Sequence, residues 1–332
     1  MAYKLKSKAG VKVLITGGLG FIGSNIAQKL VPLGAEVTIY DACLDPYGWN
    51  FANIKEIRDR VRFVKGDIRN FELMKKHLRG VDVIIDCASQ ISHTLSIKNP
   101  FLDIDINCRG AITVLEAARR VAPNAHLIYA GTRGQIGRMV YSPIDENHPT
   151  DPVDMNGIDK LAAEKYYMLY HKLYGMKTTS LRINNAYGPR CQMRHGDYAI
   201  VNWFIRKAML NEQITINGRG LQTRDYCYVE DIADAFVLST LNKRTFGEIF
   251  MIGSGKEVRF IDMCRAILKA TNSKMKIKHR PWPEERKAIE IGNFCVSYKK
   301  LNEKTGWSPT TSIEEGLART VEFYRNRMEE YF

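Results

Sequence analysis

From residue 11 to residue 189 the chain alternates short β-branched runs with longer amphipathic stretches, and few folds accept that rhythm. A strand that rejoins its sheet in the parallel sense needs a crossover of about a dozen residues or more, usually a helix. The runs are VKVLITG, EVTIYD, VRFVKGD, VDVIIDCA, HLIYAG and TTSLRINNAYGP. Between them the periodicity predicts helices near 21–33, 53–59, 70–78, 104–122 and 157–174. The expected architecture is α/β: a doubly wound parallel sheet, or Rossmann fold, of about six strands. It occupies 1–185, with 225–255 returning to it. After Pro189 the rhythm turns irregular, with a loop around Pro281 and Pro283, so 186–332 is expected to be mainly a smaller α/β substrate-binding region.

The junction of the first strand and first helix carries Gly17, Gly20 and Gly23 in a G-x-x-G-x-x-G spacing. Glycine allows the tight turn, the close approach of backbone to a pyrophosphate, and the packing of helix on strand. The helix opening at Phe21 and Ile22 then presents free N–H groups and a positive dipole end to phosphate. A glycine trio alone is weak. Here a second strand ends in Asp41, about twenty residues on, where a carboxylate can take a ribose 2′-hydroxyl and repel a 2′-phosphate. NAD is therefore expected over NADP. The third strand ends at Asp67 and Ile68, where Asp67 can reach an adenine amino group, and Ala88 after the fourth completes the expected cofactor contacts.

Bulk properties narrow the class. A net charge of +13 admits a nucleic-acid binder, but Lys and Arg are dispersed among acidic residues, without a basic helix carrying interleaved aromatics. The charge fits a solvated surface that attracts anions at long range. The seven cysteines stand singly, with no C-x-x-C pair or compact framework, which favours a reducing compartment. No apolar run is long enough to span a bilayer, and the basic start runs into glycines without a signal-type core. A cytoplasmic chain without membrane or nucleic-acid partners is expected.

T-G-G-L-G-F-I-G at 16–23, G-D-I-R at 66–69, N-N-A-Y-G-P-R at 184–190 and R-D-Y-C-Y-V-E-D at 224–231 occur in order along nearly the whole chain. With them it resembles the extended short-chain dehydrogenase/reductases, and within these the NAD-dependent nucleotide-sugar epimerase/dehydratase family, of which UDP-glucose 4-epimerase is the familiar member. The resemblance implies bound NAD, transient oxidation of a sugar carbon to a ketone, and return of the hydride. It also implies a Ser/Thr, a Tyr and a Lys in the site. Thr132 takes the first place, Lys160 the last, before L-A-A-E-K-Y. The resemblance further points to Asn107, an asparagine the family often places behind the active site, and to Asn185, Arg224 and Arg286 as substrate contacts, and to a homodimer built on the helices near 104–122 and 157–174.

Two departures matter. The family's Tyr, four residues before the Lys and on the same helix face, is here Asn156. An amide cannot relay a proton near neutral pH, and loss of a positioned acid or base costs about a hundred- to ten-thousandfold. His93, expected in the loop after VIIDCA, and Asp159, beside Lys160, are candidates to replace it. Secondly, family dehydratases carry Asp-Glu directly after the Thr, where this chain has Arg133 and Gly134. That shifts weight to a 4-epimerase of a UDP- or dTDP-linked sugar. Other reactions of the family, dehydration, reduction or decarboxylation, stay open, as does a non-catalytic binding protein.

Overall fold

A computed structural model describes residues 6–45, 48–196 and 199–332, so the first residues of the basic start lie outside it. The central sheet holds seven parallel strands: β1 (Lys12–Thr16), β2 (Glu36–Asp41), β3 (Val61–Lys65), β4 (Val83–Asp86), β5 (His126–Thr132), β6 (Lys177–Ile183) and β7 (Glu248–Ile252). Their spatial order is β7-β6-β5-β4-β1-β2-β3. The seventh strand was not among the runs counted in the first half. It is supplied from beyond the irregular region and pairs with β6, Phe250 opposite Leu181.

Both faces are covered, which explains why the strands read as continuous apolar runs. Helices α1 (Phe21–Leu30) and α5 (Val229–Ser239) pack Ile26, Leu30, Ile232 and Phe236 against Val13, Ile15 and Ile85. On the other face α2 (Phe71–Leu78), α3 (Gly110–Val121) and α4 (Met155–Tyr174) place Leu78, Val114, Leu115, Ala163 and Tyr167 against Leu14, Ile84 and Leu127. Neighbouring residues of β1 thus serve opposite cores.

Two expected helices take a different form, and one expected loop is helical. The stretch 53–59 belongs to a 3-10 helix, Phe51–Arg60, tighter than an α-helix. The long helix near 104–122 is composite: an α-helical segment Pro100–Ile104, a π-helical turn Asp105–Arg109, then α3. The turn widens where the helix passes close to Ile68, whose Cδ1 would lie 2.4 Å from a Cβ added at Gly110. His93, expected in a loop, opens a short helix, His93–Lys98, because the Ser92 hydroxyl accepts from the Leu95 N–H.

Helix α4 is clasped to the sheet by a buried ion pair. Arg182 on β6 reaches the Glu164 carboxylate twice, Nε to Oε2 at 2.9 Å and Nη2 to Oε1 at 2.6 Å, and the Ser180 hydroxyl adds a third contact at 2.7 Å. That clasp sits one turn from Lys160.

Candidate active site

The first three strands wind one way and the next the other, so a crevice opens above the carboxyl ends of β1 and β4, where open α/β sheets take their ligands. It is a cleft of about 630 Å³ extending from the glycine loop to residues 280–291.

At its first end Gly17 turns with φ of 60°, and a Cβ there would lie 2.9 Å from the Ala88 backbone. A Cβ at Gly23 would lie 2.6 Å from the Gly17 carbonyl oxygen. Only glycine keeps this cradle open. Gly20 stands at the N-cap of α1 without a side-chain cap, so the helix's first N–H groups have no side-chain acceptor from that position. Gly17, Gly20, Phe21, Ile22, Gly23, Asp41, Asp67, Ile68 and Ala88 all line this end. Thr16 ties the loop to β4: its hydroxyl donates to Asp86 Oδ1 at 2.5 Å and accepts from the Cys87 and Ala88 N–H groups.

Asp41 is buried and its two oxygens accept from the Leu19 N–H at 3.0 Å and the Cys43 N–H at 2.9 Å. Burial nevertheless raises its pKa, those two bonds opposing it. Asp67 is gripped by Arg69, Nε to Oδ1 at 3.0 Å and Nη2 to Oδ2 at 2.6 Å. Burial opposes its ionisation, but the Arg69 bonds and charge outweigh it and hold the carboxyl below the usual range.

The middle of the cleft brings Thr132, Lys160, Asn156 and His93 together. Thr132 ends β5 and caps the following turn, its Oγ1 accepting from the Gly134 N–H at 3.3 Å. Lys160 is buried, donates Nζ to the Ala130 carbonyl at 2.8 Å and lies 4.3 Å from the Tyr129 ring centroid. Burial pushes its pKa down to about 8, against the pull of Asp86 and its other neighbours. His93 Nδ1 meets Asp154 Oδ2 at 2.6 Å. Asp154 is itself fixed as the N-cap of α4, accepting from the Gly157 N–H at 2.8 Å. Burial works against its ionisation, yet the His93 bond and charge, the Gly157 N–H and Arg133 together lower its pKa. Chain folding thus leaves His93 Nε2 as the imidazole atom not held by Asp154. Asp154, in the cleft wall, was missed in the sequence; its D-x-x-G spacing before α4 reads only as a helix cap.

Asn156 lines the cleft, but its amide nitrogen is committed to the protein. Nδ2 donates to the Gln90 carbonyl at 2.7 Å and to Asp103 Oδ1 at 3.4 Å. Two of the named residues lie off the cleft lining. Asn107 stands behind the wall rather than among the lining residues: Nδ2 donates to the Gln90 carbonyl at 3.0 Å and Asp103 Oδ2 at 3.2 Å, while Oδ1 accepts from Ser89. The π-helical turn aims it there. Asp159 also points away from the cleft, toward Cys108 and Asp103, because it lies one position off the face that carries Asn156 and Lys160.

Beyond Thr132 the cleft is rich in arginine: Arg133, next to it in sequence, and Arg224, Arg280 and Arg286 all line it, with Asn184 and Asn185. Arg224, expected on a diphosphate, is occupied in this structure by Glu290 at 2.5 Å and by the Thr223 and Gly292 carbonyls. Arg133 had no assigned task. Its Nε donates to Asn185 Oδ1 at 2.9 Å. Among the described residues no group of three or more His, Cys, Asp or Glu is placed to hold a metal ion.

The sequence profile of the NAD-dependent epimerase/dehydratase family matches residues 13–253. The chain belongs to that family, within the extended short-chain dehydrogenase/reductases. It is 30% identical over 319 residues to a UDP-glucose 4-epimerase of Mycolicibacterium smegmatis, covering 96% of this chain and 99% of that one. A UDP-glucose 4-epimerase of Thermotoga maritima, solved with UDP-glucose, superposes with a TM-score of 0.87 at 29% identity, over 96% and 100% of the two chains. A dTDP-glucose 4,6-dehydratase of Bacillus anthracis, solved with NAD, gives 0.85 at 25% identity, over 97% and 99%. Both epimerases and dehydratases thus share this fold with the family member.

Proposed function

We propose that this chain is an NAD-dependent nucleotide-sugar epimerase, acting at C4 of a UDP- or dTDP-linked sugar through a transient keto-sugar. The cleft fits the cofactor: the glycine cradle that a Cβ would fill takes the pyrophosphate, Asp41 the adenosine ribose, Asp67 the adenine and Lys160 the nicotinamide ribose. Bound NAD supplies a hydride acceptor that later becomes the donor. The protein's own residues do the rest. Thr132 Oγ1 hydrogen-bonds the reacting hydroxyl, and His93 Nε2, oriented by Asp154, accepts its proton as the carbon gives up hydride. His93 would hand the same proton back to the carbonyl oxygen as the inverted centre forms. Arg224 and Arg286 receive the substrate's diphosphate end, Arg224 exchanging Glu290 for phosphate, and Asn185 faces the sugar.

One observation carries epimerisation over dehydration. Elimination of water needs an acid and a base beyond the redox pair, and the two positions after Thr132 hold Arg133 and Gly134, neither able to serve. The histidine-aspartate pair in the cleft weighs equally against a non-catalytic binding protein. Seven free cysteines, and the absence among the described residues of a helix long and apolar enough to cross a membrane, are in keeping with a cytoplasmic place.

The test is to incubate the protein and NAD with a panel of UDP- and dTDP-sugars and resolve products by mass and NMR. A mass-neutral inversion is expected. Loss of water or of carbon dioxide would assign a different reaction of the family.

A further inference from the structure

Arg133 has no part in the hydride or proton transfer, yet it follows Thr132 directly and lines the same cleft. A guanidinium offers five N–H donors and accepts nothing. Its Nε is used on Asn185 Oδ1 at 2.9 Å, and its carbon lies 5.8 Å from the Phe294 ring centroid. No carboxylate among the described residues is in ion-pair contact with it. Glu290, which would help to neutralise it, is held by Arg224 at 2.5 Å. Burial and then the Arg224 charge push the Arg133 pKa down to about 10, with Glu290 and Asp154 offsetting only part.

The amides beside it repeat the pattern. Asn184 Nδ2 and Asn185 Nδ2 are both buried donors without a protein acceptor. Their orientations are settled by chemistry: Asn185 Oδ1 must accept from the guanidinium, and Asn184 Oδ1 accepts from the Asn185 N–H at 2.9 Å. Two buried amide donors without an acceptor therefore stand beside a cation whose Nε alone has a hydrogen-bond partner among the described residues. Buried donors without acceptors are costly, and the group that would satisfy both amides and pair with the guanidinium beside them is an anion with several lone pairs.

We propose that the sugar itself carries that anion: the substrate is a nucleotide-linked uronic acid, whose carboxylate is bound by Arg133 with the Asn184 and Asn185 amides. This deepens the epimerase reading above and rests on it. A diphosphate could offer similar oxygens, but the position of Arg133 favours the sugar. It adjoins Thr132, and its charge acts on Asp154 of the proton-accepting pair, so its ligand belongs at the reaction centre. Arg224, Arg280 and Arg286 remain for the phosphates. A planar guanidinium pairs with a carboxylate bidentately, which a lysine cannot do.

Isothermal titration of the NAD-loaded protein with UDP, UDP-glucose, UDP-glucuronate and UDP-galacturonate tests this, on the natural chain and on Arg133→Gln and Arg133→Lys. The natural protein should bind a uronate about tenfold or more tighter than the neutral sugar. Arg133→Gln should erase that preference while UDP binding stays within about twofold, which also shows that the variant is folded; Arg133→Lys should restore only part. The bound uronate should epimerise without change of mass. If UDP-glucose binds as tightly as the uronates, the carboxylate subsite is wrong. If Arg133→Gln weakens UDP as much as every sugar, the arginine serves the diphosphate, and the inference again falls while the epimerase reading stands. If no nucleotide sugar binds at all, the functional reading fails first.

Discussion

Single atoms decide most at Asp41 and His93. Asp41 sits buried at the end of β2 with one bond to Leu19 and one to Cys43, so its carboxylate is pre-oriented for a ribose. Asp41→Ala should weaken NAD binding by roughly 1.5–3 kcal/mol, the worth of a hydrogen bond to a charged group. Measured by titration, the natural protein should also prefer NAD over NADP; equal affinities would remove the role. His93 is the histidine that stands against Asp154 in the cleft. His93→Gln should lower kcat about a hundred- to ten-thousandfold while leaving NAD and UDP affinity in place, and Asp154→Asn should cost less, since an amide can still cap α4. A His93→Gln variant that keeps the natural kcat would show that the proton goes elsewhere. So would an Asn156→Tyr variant that outperforms the natural enzyme by orders of magnitude.

Among the elements, α4 and the π-helical turn work as one unit. The turn carries Asn107, the segment before it Asp103, and α4 brings Asn156 and Asp159 to the same buried network. Burial first, and then the hydrogen bond and charge of Asp103, push the Asp159 pKa up to about 7. Its folded-state pKa is thus raised above the unfolded 3.8, so the protonated pair favours folding. That stabilisation is complete below about pH 4 and lost as pH rises through about 7. Urea unfolding from pH 5 to 8 should show the slope, and Asp159→Asn, which keeps a hydrogen-bonding group but cannot ionise, should flatten it. The Glu164–Arg182 clasp makes a second prediction. Both side chains are buried, so Glu164→Gln leaves a lone guanidinium charge inside and should destabilise by about 3–5 kcal/mol in the same assay. A loss under 1 kcal/mol would mean that α4 is held mainly by its apolar face.

At the scale of the molecule, one apolar surface stands out beside the site. Phe101 is 82% exposed and Ile104 50%, and on α4 Ile158, Leu169 and Leu173 are 50%, 45% and 60% exposed. Ile158, Leu169 and Leu173 share one helical face at spacings of eleven and four, and the Pro100–Ile104 segment packs against α4. An exposed apolar stripe of this kind marks an interface. We propose that it is the homodimer seam, two copies packing these helices together. Sedimentation should return twice the 37.9 kDa chain mass, and Phe101→Glu with Leu173→Glu should return one. A natural chain that sediments as a monomer at micromolar concentration would defeat the proposal.

The strand-glycine-helix opening, the acids at the ends of β2 and β3, and the alternation that demands a parallel sheet were all legible in the sequence. They depend on contacts within one βαβ unit, where spacing along the chain is spacing in space. Thr132 and Lys160 could be found the same way, each beside a local motif. What remained hidden depends on residues far apart in sequence. The return of 225–255 to the sheet was expected but not its place: Glu248–Ile252 joins β6 from 65 or more residues away, at an edge whose free backbone groups can accept it. Asn107 and Asp159 read as site residues, and tertiary packing turned both toward Asp103, where buried polar groups find partners. The His93–Asp154 pair is 61 residues apart and the Arg133–Asn185 pair 52, so neither spacing carries a signal. The sequence determined the glycine-rich turn with its acids and that the usual tyrosine is missing; only the folded chain decided that the His93 imidazole stands near that gap and that Arg133, among the described residues, has no carboxylate in ion-pair contact.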